Sequence, residues 1–511
     1  MIIILTGAGA SIVMHWVTVN GPGVSPDSVT YIDTARNLLA GEGFTTRGQP
    51  LTHYPPGYPV LLSVFSLFTG GHVVNAARFL AILMFAINGV ILGLAVAGFT
   101  RYSIPATLCM LAFYLFSVPI LSVHLMAWSE AIFIASSISA MVILTLYVDR
   151  PRQILLWLAS LIASYAMLTR YIGVTLIPPV AFALLILNKR SKKERIKDTL
   201  LSSGIMSLPL AIWLLRGVFL AQNPTNRKLA VHLINAEHVT AFTKTLKQFI
   251  IPINVGNTTY SRSLIILTVT LSFLLGLVTL IRNDERSPTA PAAKNFILIC
   301  SVFFLTYLIF LTLSVSFFDA QTPINVRILL PVMLPLTAAA ISLVWSLYKI
   351  FDQNMIWTSF FFLVLISTTM HASKSIPKAI QIHNHGKGYT SKHWQKSETL
   401  QYLEREDTTK KISSNGAEVL FFLTGKKTHM LPQKTNPRTA KANQNYEEQL
   451  RKLIRECNEG KALVVYFSGI SWRGYLPSLE ELESQRDLPV LHRFEDGVIF
   501  GISQETRIRN Q

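Results

Sequence analysis

The chain is 511 residues long, half of them hydrophobic and only 14% charged, with a mean hydropathy of +0.41. A soluble protein would carry a charged fraction of about 25%, and the apolar residues here fall in blocks long enough to cross a bilayer, which takes roughly 20 residues per helix. The formal net charge of +18 sits largely in short loops beside apolar runs, the distribution of positive-inside topology and anionic lipid, so both a soluble globular protein and a nucleic-acid binder are excluded.

The first segment, Met1 to Val19, lacks a basic N-terminal stretch and reads as a membrane span. Ala8-Gly9-Ala10 keeps a cleaved signal peptide open as the alternative. A polar loop follows, residues 20–71. Within it Ser25-Pro26-Asp27-Ser28 has the pattern of a helix start, with Ser as N-cap, Pro in the first turn and an acid at the positive end of the dipole. Pro56 to Phe68 is apolar but short, and fits a helix lying in the interface.

Hydropathy places about eleven transmembrane helices in all. After the first they run near Val73–Phe99, Ile104–Ser122, Trp128–Val148, Ile154–Leu168, Gly173–Leu187 and Leu200–Leu220, then Leu264–Ile281, Phe296–Phe317, Ile328–Leu347 and Met355–His371. Arg101, Arg150, Arg152, the run from Lys189 to Lys197, and the group Arg282, Arg286, Lys294 all fall on one side if the spans alternate. That side is cytoplasmic. The first loop and the short turns around residues 123–127, 169–172 and 318–327 then face outward, together with the tail. The expected architecture is mostly α: a transmembrane domain over 1–372 and a small α/β extracytoplasmic domain over 373–511. In the tail, strand-like runs at Lys411–Ser414, Ala462–Phe467 and Gly497–Ile502 flank a helical stretch from Asn445 to Cys457. Cys109, Cys300 and Cys457 show no spacing that suggests a disulfide or a metal site.

The residues able to carry chemistry gather at the outer ends of the spans. Asp27 is either a helix-stabilising acid or a general base at the mouth of a membrane cavity, and Tyr31 lies one turn along the same helix. Asp33 and Arg36 are spaced for a surface ion pair. Glu130 opens the fourth span after Trp128-Ser129, where an ionisable side chain is costly unless it faces a cavity or a partner; capping is the alternative. Two carboxylates from different loops on one face can bind a divalent cation or divide base and orienting roles. Arg170 and Arg327 oppose the general charge bias. Each is a candidate clamp for a lipid-linked phosphate or a side chain snorkelling to headgroups. His53 and Tyr54 precede Pro55-Pro56, with His53 a ligand, a donor or an ordinary interfacial residue.

Taken in order, Asp27, Tyr31, Ala35-Arg36-Asn37-Leu38, Gly41-x-Gly43-Phe44, Pro55-Pro56-Gly57-Tyr58-Pro59, Trp128-Ser129-Glu130 and Arg327-Ile328-Leu329-Leu330-Pro331 resemble the GT-C superfamily of integral membrane glycosyltransferases. The nearest flavour is the bacterial branch akin to protein O-mannosyltransferases and the lipid A aminoarabinose transferase. The resemblance implies an inner (plasma) membrane enzyme using a polyprenyl-phosphate-linked sugar, with a lipid, protein or glycan acceptor and an inverting displacement. It places the essential first-loop acid on Asp27 and the second acid on Glu130, and offers Tyr31, His53, Tyr54, Arg170 and Arg327 to the substrates. Some relatives carry adjacent acids in that loop. Here Ser28 follows Asp27, which departs from a first-loop metal site. The rival reading is a secondary transporter or lipid flippase, whose mark would be acids buried mid-span and inverted repeats.

Overall fold

The computed structural model describes residues 1–227, 229–252, 259–283, 291–320, 322–406 and 409–502. Arg286 and the last nine residues, included in the expectations above, lie outside them. Each of the eleven predicted spans falls on a helix or a helix pair. The helices in order are α1 (Ile2–Val17), α2 (Pro26–Leu39), α3 (Gly57–Leu67), α4 (Val73–Phe99), α5 (Ile104–Phe116), α6 (Val118–His124), α7 (Glu130–Asp149) and α8 (Gln153–Thr169). Then come α9 (Tyr171–Leu187), α10 (Lys192–Ala221), α11 (Ala236–Ile250), α12 (Thr259–Arg282), α13 (Pro291–Phe317), α14 (Val326–Phe351) and α15 (Asn354–His385).

Among the described residues seven of these are long and apolar enough to cross a membrane. The pair α5 and α6, bent by 59°, makes an eighth. The bend falls at Ser117, just before Pro119 in the first turn of α6, where the missing proline N–H breaks the helical ladder. The other three predicted spans, α1, α8 and α9, are apolar but shorter. The chain is a multi-pass, mostly helical membrane protein. Pro56–Phe68 forms the short apolar α3 rather than a long helix, and α15 continues past residue 372 to His385, so the domain boundary drawn there falls inside a helix.

Beyond α15, the short helices α16 (Lys392–Gln395) and α17 (Glu398–Arg405) lead into a five-stranded sheet. In the loop between α1 and α4 a small hairpin pairs β1 (Thr45–Thr46) with β2 (Gln49–Pro50). The sheet runs β4-β3-β5-β7-β6, with β3 (Lys411–Ser414), β4 (Thr428–Met430), β5 (Ala462–Phe467), β6 (Val490–Arg493) and β7 (Gly497–Phe500). β3 pairs parallel with β4 and β5, and β7 antiparallel with β5 and β6. Helices α18 (Ala417–Thr424) and α19 (Tyr446–Asn458) make the parallel crossovers. The three strand-like runs read from the sequence are β3, β5 and β7, and the Asn445–Cys457 helix is α19.

This sheet seats directly on the loop between α1 and α4. Ile412, Val419, Leu420, Val465 and Phe467 share one buried apolar cluster with Val29, Ile32 and Tyr58. Two backbone straps hold the N-terminus of α2. Ala127 N donates to Gly23 O at 2.8 Å and Gly23 N to Leu125 O at 2.9 Å, while Tyr389 N donates to Val24 O at 2.9 Å. The second strap needs Gly388, whose φ is +63° and where a Cβ would lie 2.1 Å from Val24 O. Asp27 and Glu130, 103 positions apart in sequence, are thereby fixed against one another before any side chain meets.

Candidate active site

The straps bring the predicted residues together. Ser25, the N-cap of α2, accepts a hydrogen bond from Trp128 Nε1 at 2.7 Å, and its own N–H donates to Ser28 Oγ at 3.1 Å. Asp27 follows in the first turn with 28% of its side chain exposed. Arg327, from the first turn of α14, reaches Asp27 Oδ2 at 2.5 Å through Nη1 and Glu130 Oε1 through Nε. Its guanidinium lies 4.2 Å from the centre of the Trp128 ring. Arg170, at the end of α8, pairs with the same Glu130 oxygen and lies 3.4 Å from Ser129 Oγ. Glu130 is fully buried. Two carboxylates and two guanidiniums thus form one chain of charge, with Arg327 as the link.

Tyr54 donates to Asp27 Oδ1 at 2.6 Å, so both oxygens of the acid are engaged. Burial pushes the Asp27 carboxyl up, but the Arg327 charge and the hydrogen bonds from Tyr54 and Arg327 outweigh it and hold the group below the usual carboxylate range. Tyr31 is buried, with its hydroxyl 3.5 Å from Ser129 Oγ and its ring against those of Tyr54 and Tyr58. Burial and the Asp27 charge raise its phenol above the ordinary value. His53 is pushed down to about 3, by burial first and then by Arg227 and Arg438, so it is a neutral imidazole at physiological pH. Among the described residues its buried Nδ1 has no hydrogen-bond partner.

The segment bearing His53 and Tyr54 is irregular, and neighbouring helices hold it by its carbonyls. Arg216 of α10 donates to Leu51 O at 2.9 Å and Phe44 O at 3.1 Å while lying over the Trp213 and Phe44 rings. Tyr171 donates to Thr52 O at 2.8 Å and accepts from Trp213 Nε1 at 3.1 Å. On the far side Tyr165 donates to Gly57 O at 3.2 Å, and a Cβ at Gly57 would sit 2.6 Å from Leu168 O. The expected Asp33–Arg36 ion pair does not form. The β1–β2 hairpin folds back so that Asp33 accepts from Thr46 Oγ1 at 3.0 Å and Arg47 N at 2.7 Å, and Arg36 lies over the Phe422 ring of α18 instead.

Two cavities meet at Asp27, His53 and Tyr54, which line both. One, of about 630 Å³, runs among the membrane helices past Tyr31, Arg170, Leu214, Phe310 and Arg327. The other, of about 930 Å³, lies between the α1–α4 loop and the C-terminal sheet, lined by Asn37, Arg47, Glu418, Lys427, His429 and Arg438 among others. The first is greasy with charges at one end; the second is polar.

Sequence reasoning overlooked two arginines here. Arg227 lines the helix-bounded cavity beside Tyr171, and among the described residues its buried Nε has no hydrogen-bond partner. Burial lowers its guanidinium, and the Asp319 charge is the main electrostatic counterweight. Burial in turn raises Asp319 above the ordinary carboxylate range. Arg216, a charge inside the apolar run Leu200–Leu220, had a legible signal. Arg227 sits in an irregular polar loop and had none. A divalent cation would need Asp27 and Glu130 to share it. Arg327 already bridges them, and among the described residues no group of three or more His, Cys, Asp or Glu gathers. The donor set present is a guanidinium-bridged acid pair.

No protein-family model matches the sequence, and no curated protein matches it. Among solved structures the chain is similar to ArnT from Cupriavidus metallidurans bound to undecaprenyl phosphate, with a TM-score of 0.60 and 13% identity over 98% of each chain. The same protein in the apo state gives 0.56 and 13% over 97% of each. AglB, an archaeal oligosaccharyltransferase from Archaeoglobus fulgidus in complex with an inhibitory peptide and a dolichol-phosphate, gives 0.51 and 12% over 91% of this chain and 69% of that one. The fold is the one shared by ArnT and AglB. The likeness to ArnT covers 98% of the chain.

Proposed function

We propose that the protein is a membrane glycosyltransferase that moves a sugar from a polyprenyl-phosphate-linked donor to an acceptor at the extracytoplasmic face. The observation that carries the reading is the place of Asp27, an ionised acid at the junction of a greasy cavity among the helices and a polar one facing the C-terminal sheet. The lipid donor occupies the first and the acceptor enters through the second. Asp27 takes the proton of the attacking acceptor group. That group forms a bond to the anomeric carbon, and the bonding pair to phosphate leaves on the opposite face, inverting the centre. The fold's likeness to a protein bound to undecaprenyl phosphate supports the donor class.

Arg170 and Arg327 border the donor cavity with their charges already balanced by Glu130 and Asp27, so they orient the acid and stabilise the leaving phosphate with what remains of their guanidiniums. Arg227 brings a guanidinium that, among the described residues, forms no ion pair and has only the more distant charge of Asp319 to balance it. Tyr31 and the neutral His53 line the passage in which the sugar turns over. The test is transfer by purified full-length protein, in lipid, from undecaprenyl-phosphate-linked pentoses and hexoses, read as release of undecaprenyl phosphate in the presence of native membrane extract as acceptor. No release from any of them would overturn the reading.

Replacing Arg227 by Gln removes a charge-assisted contact to phosphate worth about 1.5–3 kcal/mol. The donor concentration at half-maximal rate should rise on the order of tenfold or more, since about 1.4 kcal/mol is a factor of ten. An unchanged donor requirement would return Arg227 to a structural role. The proposed inner-membrane orientation puts the Asp27 loop and the C-terminal domain together on the outer side, consistent with their shared apolar cluster. Reporter fusions at Lys193 and after Gln511 should therefore report opposite faces, and agreement between them would sink that orientation.

A further inference from the structure

The hydrogen bond from Tyr54 to Asp27 raises a chemical problem that also points to its use. A general base works through a free lone pair on the oxygen facing the proton it removes. In this structure Oδ2 is held by Arg327 and Oδ1 by the Tyr54 hydroxyl at 2.6 Å. Both Asp27 and Tyr54 line the two cavities, so the oxygen that Tyr54 covers lies on the path between donor and acceptor. The polar cavity of about 930 Å³ is large enough to admit water freely, and water is the competing nucleophile for any activated sugar.

We propose that Tyr54 is a displaceable cap on the base: it covers Asp27 Oδ1 until an acceptor hydroxyl or amine takes its place, and so keeps water from being activated against a bound donor. This inference rests on the glycosyltransferase reading above. The reaction it suppresses is donor hydrolysis. A water oxygen bonds to the anomeric carbon, its proton goes to Asp27, and the carbon–oxygen bond to phosphate breaks with its electron pair leaving on the phosphate. An acceptor with binding surface in the polar cavity can offset the loss of the tyrosine contact, whereas a single water cannot.

The surroundings fit a side chain that moves without dragging the site with it. The Tyr54 ring rests against Tyr31 at 4.8 Å and His53 at 4.5 Å, between centroids, in tilted and edge contacts, and is partly buried at the edge of two apolar clusters without being a core member of either. Among the described residues its hydroxyl makes one hydrogen bond, to Asp27. The backbone on either side is tied independently, through Thr52 O to Tyr171 and Gly57 O to Tyr165. Asp27 remains fixed by Arg327 and by the straps at Gly23 and Val24 when Tyr54 swings away.

The test is Tyr54→Phe in the full-length protein, which keeps the ring and removes the hydroxyl. With undecaprenyl-phosphate-linked sugar and no acceptor, wild type should release free sugar slowly and the variant at least several-fold faster. With membrane extract added, the ratio of hydrolysis to transfer should rise about tenfold or more over wild type. The acid limb of the pH–rate profile should also move upward, because a hydrogen bond that favours the carboxylate has gone. A tyrosine that merely props up the site predicts the opposite, hydrolysis and transfer falling together. That result, or free-sugar release no faster than in wild type, overturns the cap. Should wild type fail to consume donor even with acceptor present, the glycosyltransferase reading itself falls, and the cap with it.

Discussion

Asp27→Asn is expected to leave the membrane fold intact and to remove transfer, by a factor on the order of 10² or more, the usual contribution of a general base. Asparagine keeps the shape of the carboxylate and serves adequately in the first turn of α2, so the helix-start role predicts a change of about 1 kcal/mol or less. The substitution has a second consequence. The amide oxygen can still accept from Arg327 while its NH2 donates to the Tyr54 hydroxyl, but the negative charge between Arg327 and the cavity is gone. Donor binding, governed by phosphate and arginine, should then hold or tighten while turnover disappears. Transfer from undecaprenyl-phosphate-linked sugar and donor binding are measured on the same preparation, with thermal unfolding as the control. Near-normal transfer would show the acid to be structural, and the mechanism proposed here would fall with it. In wild type the same base predicts a rate that holds as pH falls towards 4, because Arg327 and Tyr54 keep the carboxylate ionised below its ordinary range.

How far the sequence could be read depended on the kind of signal. Long apolar helices such as α4, α7, α13 and α14 were legible because hydropathy over about 20 residues is the requirement itself. The start of α2 was legible because Ser25-Pro26-Asp27 states a capping chemistry. The bend between α5 and α6 was not, since Pro119 reads equally well as the first turn of a new helix or as a kink. Within the site, Asp27, Glu130, Arg170 and Arg327 stood out as charges at the ends of apolar runs. Their mutual arrangement was hidden, because Arg327 meets Asp27 across 300 positions and only the backbone straps at Gly23, Val24 and Gly388 decide which loops touch. The reading of Asp33 and Arg36 failed for the same reason: local spacing favoured a pair, but the β1–β2 hairpin offered Asp33 a hydroxyl and a backbone N–H instead.

The charge chain also orders the roles of its members. Asp27 retains partial exposure where the cavities meet, whereas Glu130 is sealed behind the guanidiniums and does not line the helix-bounded cavity. In the proposed mechanism, base chemistry therefore falls to Asp27. Glu130 holds two arginines, from α8 and α14, and one of them also touches Asp27. That geometry makes Glu130 a positioning residue in the proposal, acting through Arg170 and Arg327.

Glu130→Gln is accordingly expected to destabilise the protein more than it alters local shape. Glutamine is nearly isosteric, so packing at the start of α7 survives, but the largely buried Arg170 is left against a neutral amide and Arg327 keeps only its pair with Asp27. Removing one partner from a buried charge pair costs about 3–5 kcal/mol, largely because the charge left behind is uncompensated. Thermal unfolding of the purified variant should move well below wild type, and transfer should fall as Arg327 loses its anchor and with it the register of Asp27. An added anion can replace part of the missing charge. If the arginines face the lipid phosphate, undecaprenyl phosphate should raise the unfolding temperature of Glu130→Gln by more than it raises that of wild type. A neutral polyprenol of the same length should not. Equal stabilisation by the phosphate and the alcohol would remove the arginines from the phosphate site, and an unfolding temperature equal to wild type would show that Glu130 carries no structural charge.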